Sequence, residues 1–218
     1  MCQVYCCHLL ISHWHPDHTA GFRVVEALAW DRATGGGKYT VDVWLNRATL
    51  ERMPSWRYFE RRGYCRLNVT ESGQPFALGT LTARPFDYAP EGFLTGFLLS
   101  DGRTRVLLAP DETKGLAAAL PDWARQPDLL VAESGFFDHE PDGSPIVGAD
   151  WPMRRTEASF AEDTRPLVRA VGARRTVLVH LMGCMTGRTP DELDQVAASF
   201  EEPNVEFGYD GMQVAVGE

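Results

Sequence analysis

The segment His13-Trp14-His15-Pro16-Asp17-His18 places three imidazoles and a carboxylate within six residues, directly after the apolar run Cys7 to Ser12. That run reads as a short buried strand. At a strand end, residues two apart point the same way, so His13 and His15 can put two imidazoles on one ion. Asp17 and His18 sit where the chain begins to coil, and can face a second ion beside the first. A single histidine would read as a hydrogen-bonded surface or core group. Four such groups in six residues make poor core material, because ionisable side chains are rarely buried without partners.

The rest of the chain alternates strand and helix signals in one continuous stretch, with no linker, repeat or low-complexity tract. Apolar residues at three- and four-residue steps predict a helix over Thr19 to Trp30, after which Gly35-Gly36-Gly37 breaks the chain. Thr40 to Leu45 alternates and is rich in β-branched residues, which predicts a strand, followed by a short helix near Ala48 to Met53. Strand-like stretches follow at Leu67 to Thr70 and Leu78 to Phe86. Phe93 to Leu99 and Thr104 to Ala109 flank the turn signal Asp101-Gly102 and predict a hairpin. Beyond it, Thr113 to Leu120 reads as a helix, Leu129 to Ala132 as a buried strand, and Phe136 to Met153 as a long surface loop of the kind that covers sites. A helix near Glu157 to Val171, a strand at Thr176 to Val179, a helix at Pro190 to Phe200 and a final hairpin at Val205 to Val216 complete the reading.

The run Leu9-Leu10-Ile11-Ser12-His13-Trp14-His15-Pro16-Asp17-His18 resembles the HxHxDH motif of the metallo-β-lactamase fold superfamily. Val106-Leu107-Leu108-Ala109-Pro110-Asp111 is similar to the strand whose terminal Asp bridges both metals in that superfamily. Thr176-Val177-Leu178-Val179-His180 is similar to the strand ending in the last His ligand, and Val205-Glu206-Phe207-Gly208-Tyr209-Asp210-Gly211-Met212 resembles the closing strand of one branch. That branch holds the phosphodiesterase of carbon–phosphorus lyase operons and the pyrroloquinoline quinone biosynthesis protein B. The resemblance implies an α+β fold, specifically a four-layer αββα sandwich, as a single domain over residues 1–218. It implies two divalent ions, Zn or Mn, on His13, His15, Asp17, His18, Asp111 and His180. Asp17 and Asp111 would be the catalytic carboxylates, and a metal-activated water would attack a phosphodiester of a small-molecule substrate, including a cyclic one. Two other readings stay open: a cofactor-biosynthesis hydrolase or oxygenase, and a non-catalytic metal-binding module. Glu133, at the end of its strand, reads as an acceptor for a metal-bound His or as a capping carboxylate, and His8 as structural. Asp111 taken alone also reads as a helix cap.

Three departures from the superfamily pattern carry expectations. No His occurs between His18 and His139, where relatives supply a further ligand, so Asp87, Tyr88 or Glu91 is the candidate substitute. Oxygen ligands favour harder ions than Zn²⁺, and one ion is expected to be held better than the other. No His stands at the position from which relatives protonate the leaving group. Arg154 and Arg155 there cannot act as acids but can hold an anion, and His139 is the weak candidate for proton delivery. Finally, relatives place several strands before the motif, where this chain has 12 residues. That predicts missing N-terminal strands, through a late start, a fragment, or strands supplied by a partner.

Composition narrows the partners. Twenty-one Lys plus Arg against 30 Asp plus Glu give a net charge of −9, which argues against a sequence-independent grip on nucleic acid. The acidic balance leaves a phosphate substrate open, since bound metal inverts the local field. No run of about 18 apolar residues marks a membrane span. Five cysteines without metal-knuckle spacing, and an N-terminus without an export signal, point to free thiols in a cytoplasmic protein. A homo-oligomer is compatible with all of this.

Overall fold

A computed structural model describes residues 8–27, 40–89, 92–140, 142–148, 150–181, 188–200, 202 and 204–217. The chain divides into two compact units, one made of the chain up to Leu78 with Pro85–Thr95, the other of Gly79–Arg84 with Gly96 onward.

The first unit is built on three parallel strands in the order β1 (His8–Leu10), β2 (Val41–Asn46) and β3 (Cys65–Thr70). Alternation in β2 buries Val41, Val43 and Leu45 on one face, as the period of two requires. Three helices accompany the sheet: α1 (Pro16–Thr19), α2 (Arg47–Arg52) and α3 (Ser55–Arg61). α1 starts at Pro16, a residue suited to the first helical turn. The helix expected over Thr19 to Trp30 is instead interrupted at once by a 3-10 turn, Ala20–Phe22. Residues 23–27 are helical, and the remainder of that stretch lies outside the described residues. Asn46 ends β2 and starts α2 by accepting a hydrogen bond from the Thr49 amide at 2.8 Å.

Helix α3 has no counterpart in the sequence reading. Its seven residues show only one apolar repeat, Trp56 and Phe59, which is too short for periodicity to declare itself. Both are buried, in a core with Ile11, Val43, Leu45 and Leu50. Replacing Trp56 with Ala is expected to destabilise the fold by about 3–5 kcal/mol, read as a lower urea midpoint at an unchanged slope.

β4 (Phe76–Leu78) leads through Gly79-Thr80 into β5 (Leu81–Tyr88), so the strand expected over Leu78 to Phe86 is two strands. Gly79 takes φ +63°, a left-handed conformation that suits glycine. β5 and β6 (Leu94–Ser100) each run from one unit into the other. The second unit continues with β7 (Arg105–Ala109), β8 (Leu129–Glu133), β9 (Arg175–Val179) and β10 (Val205–Phe207), in the sheet order β10-β9-β8-β7-β6-β5. The β6–β7 hairpin forms as expected, antiparallel, with Ser100 opposite Arg105. Its turn is fastened by the Asp101 carboxylate, which accepts from the amides of Arg103 and Thr104. β7, β8, β9 and β10 are mutually parallel.

Three expectations for this unit are corrected. The helix read over Thr113 to Leu120 is only α4 (Leu116–Ala119), because Gly115 takes φ +73° and the Thr113 amide is bonded to Glu133. The helix read over Glu157 to Val171 is a π-helical turn, Phe160–Thr164, followed by α5 (Arg165–Val171). Pro166 has no amide to give to the ladder, and wider turns accommodate such interruptions. The final hairpin is a single strand: β10 pairs with β9, and the chain then turns at Tyr209-Asp210-Gly211 without resuming a ladder. The alternation that suggested a second strand is real, with Met212, Val214 and Val216 half-buried, but it records packing rather than pairing. α6 (Pro190–Ala198) begins at a capping box between Thr189 and Glu192. No helix among the described residues is long and apolar enough to cross a membrane. The architecture is α+β, mixed sheets with helices.

Candidate metal centre

The first unit gathers the histidine motif. The rings of His13 and His15 lie 4.5 Å apart, and those of His13 and His18 4.2 Å apart, measured between centroids. His13 and His15 come together in the segment beyond β1, outside the strand itself. His13 is fully buried, with Nδ1 3.1 Å from the Ser12 hydroxyl. The Thr19 hydroxyl donates to the His15 carbonyl at 2.8 Å, which ties α1 to the motif. His18 Nε2 lies 3.3 Å from Asp17 Oδ2, and the Asp17 side chain is 61% exposed. His8 sits on β1 beside Trp44 and Asp42.

Asp87 stands behind this motif. Its Oδ1 accepts from the Thr95 hydroxyl at 2.7 Å and from Asn46 Nδ2 at 3.5 Å. Asn46 Nδ2 also lies near the carbonyls of Gly92 and Phe93, and the Thr95 amide donates to the Ser12 carbonyl at 2.8 Å, one residue before His13. Burial is the largest influence on the Asp87 carboxyl and raises its pKa, against the lowering by Thr95 and Asn46. Tyr88 is buried against Phe86, and Glu91 lies outside the described residues. Thr95 is itself buried, so Asp87→Ala should cost about 1–3 kcal/mol by stranding its hydroxyl, while Asn46 keeps the Gly92 and Phe93 carbonyls. Asp87→Asn, which keeps the acceptor oxygen, should cost less; urea denaturation of both variants checks this.

The second unit brings three ligand types to one place. Asp111 lies two residues beyond β7, Glu133 ends β8, and His180 follows β9 directly. These are the carboxyl ends of three adjacent parallel strands, where open α/β sheets place their ligands. One donor atom from each of Asp111, Glu133 and His180 falls within 4.8 Å of the others. His180 Nδ1 is 3.3 Å from Asp111 Oδ1 and 4.0 Å from Glu133 Oε1. His180 takes φ +52° and Glu112, next to Asp111, φ +45°. Left-handed backbone at a non-glycine residue is strained and concentrates at functional sites. The Ser134 hydroxyl, 3.4 Å from the His180 carbonyl, and the Ser134 amide, bonded to Val179, help fix that turn.

Glu133 is 1% exposed, and burial, reinforced by Asp111, pushes its pKa up to about 8 despite two hydrogen bonds from Thr113. A divalent cation is the natural counter-charge for two buried carboxylates beside an imidazole, so these residues fit a metal ion.

The remaining sequence candidates sit elsewhere in this unit. Arg154 is ion-paired with Asp138 and lies 5.2 Å over the Phe136 ring, which fastens the long loop. Arg155 is exposed, and its carbonyl accepts from Lys114. His139 is exposed, on a bridge to Pro145. Thr113, Ser134, Asn46 and Thr95 went unread in the sequence. Each is a hydroxyl or amide residue within a few positions of a strand end, a weak signal that only the fold makes specific.

A family model described as the beta-lactamase superfamily domain matches residues 7–181. No curated protein matches the chain in sequence. Among solved structures, the metallo-beta-lactamase fold protein YhfI from Bacillus subtilis superposes with a TM-score of 0.67 at 17% identity, over 94% of this chain and 76% of its own. Zn(2+)-bound PqqB from Methylobacterium extorquens gives 0.64 at 15% identity, over 95% and 70%. A diphosphatase of the PhnP family gives 0.62 at 16% identity, over 95% and 70%. At these identities the likeness is one of fold. With the family model covering most of its length, the chain belongs to the beta-lactamase superfamily and carries the metallo-β-lactamase fold.

Proposed function

We propose that the chain is a metal-dependent hydrolase that acts on a phosphodiester of a small molecule. The observation that carries this reading is the meeting of Asp111, Glu133 and His180 at three adjacent strand ends. Similarity to a PhnP-family diphosphatase supports phosphorus as the electrophile. Bound divalent ions would supply a Lewis acid and an acidified water. In this reading His13, His15, Asp17, His18, Asp111 and His180 are the ligands. The Asp17 carboxylate, more exposed than the rest and 3.3 Å from His18, would accept a proton from the attacking water. Glu133, 4.0 Å from His180 Nδ1, would help orient the His180 ring, and Thr113 in turn holds Glu133 through two hydrogen bonds. Imidazole-rich and carboxylate-rich donor sets suit Zn²⁺ and Mn²⁺ respectively.

Metal analysis of protein grown with Zn²⁺, Mn²⁺ and Fe²⁺ tests the reading: at least one ion per chain is expected, and less than about half an ion sinks it. Turnover of bis(p-nitrophenyl) phosphate that vanishes in His18→Ala supports it. Likeness to Zn(2+)-bound PqqB favours a second reading, a cofactor-biosynthesis metalloenzyme. Iron-dependent oxygen consumption, with no phosphodiester turnover, would establish that one instead.

A further inference from the structure

Beside His180, within the second unit, lies a concave pocket of about 540 Å³, in the size range of small-molecule sites. Its walls are apolar: Val177 and Val179 from β9, Leu193 from α6, and Met212 and Val214 from the segment after β10. Gly208 belongs to the same wall, and a Cβ there would come within 3.1 Å of Val177 and 3.2 Å of Val179. Glycine at that position keeps the tail close against β9. The polar exceptions are His180, at the candidate metal centre, and Arg188, Tyr209 and Asp210. Arg188 is ion-paired with Glu140, which fixes its guanidinium in the wall.

An apolar pocket that shares one wall residue with the metal-ligating cluster has the build of a specificity pocket. An alkyl or aryl group would lose water against Val177, Val179, Leu181, Leu193, Met212 and Val214. We infer that this pocket takes an apolar alkyl or aryl group on the non-reacting side of the substrate, so that the substrate is an ester with one hydrophobic arm. The inference rests on the hydrolase reading and names the substrate class for it. No bond is made or broken in the pocket, and its contribution is binding.

The test is equilibrium binding of n-alkyl phosphates, methyl to hexyl, to the metal-loaded full chain by isothermal titration calorimetry. The dissociation constant should fall about fourfold per added methylene. Met212→Asp and Val214→Asp change half-buried residues outside any strand or helix. Each should flatten that dependence, since a charge spoils the apolar wall. Chain-length independence in the wild type overturns the inference, and so does an unchanged slope in both variants. Turnover of bis(p-nitrophenyl) phosphate by the same preparation reports on the hydrolase reading separately. A flat binding series with intact turnover removes the pocket and keeps the enzyme, whereas a steep series without turnover does the reverse.

Discussion

Asp111→Ala is expected to lower bis(p-nitrophenyl) phosphate turnover by about 10³-fold or more, the scale of losing a group that supports transition-state charge in a metal site. Asp111 is only 4% exposed and stands 3.3 Å from His180 Nδ1, so truncation removes a candidate ligand and a neighbour at once. It lies two residues beyond β7, no ladder hydrogen bond depends on its side chain, and the fold should survive. Far-ultraviolet circular dichroism matching wild type, with metal content reduced and turnover lost, is the expected pattern. Equal turnover in Asp111→Ala and wild type would show that the activity belongs to a contaminant. Asp111→Asn separates charge from shape. It keeps an oxygen donor but not the negative charge, so partial metal retention with most of the turnover lost would place the effect in electrostatics.

How much of this was written in the sequence depends on how far apart the participants lie along the chain. His13, His15, Asp17 and His18 are neighbours in the chain, and that nearness brings the His13 and His15 rings within 4.5 Å. Asp111 and His180 were legible because each follows an apolar run in the expected order. The tie between Thr113 and Glu133 spans 20 residues, and nothing local marks it. It is also what ends the helical reading of Thr113 onward, so one long-range hydrogen bond hid both an element boundary and a site residue. Asp87 makes the same point. It lies where the missing ligand was sought, yet its partners Asn46 and Thr95 come from two other strands. The π-helical turn before α5 and the single strand β10 were misread for a related reason: apolar period reports which face is buried, not which backbone partner is present.

Glu133→Gln should separate the metal-free protein from the loaded one in opposite directions. The carboxyl has its pKa raised by burial and by Asp111 from 4.5 to about 8. The folded metal-free state therefore holds this proton more tightly than the unfolded chain does. Stability contributed at this position is full below about pH 4.5 and is lost as pH rises through about 8, because the unfolded state releases the proton first. Glutamine cannot ionise and still offers an oxygen to the Thr113 amide, so the variant's thermal midpoint without metal should be flatter over that interval and higher than wild type at pH 8. With metal the order reverses. A divalent ion neutralises the wild-type carboxylates, and losing one of them beside His180 and Asp111 should weaken metal affinity about 10–100-fold, the usual cost of removing a carboxylate that supports a ligand. Differential scanning calorimetry with and without added Zn²⁺, at pH 5 and pH 8, reads both effects. If Glu133→Gln is less stable than wild type at pH 8 without metal, the buried carboxylate is not the destabilising charge inferred here.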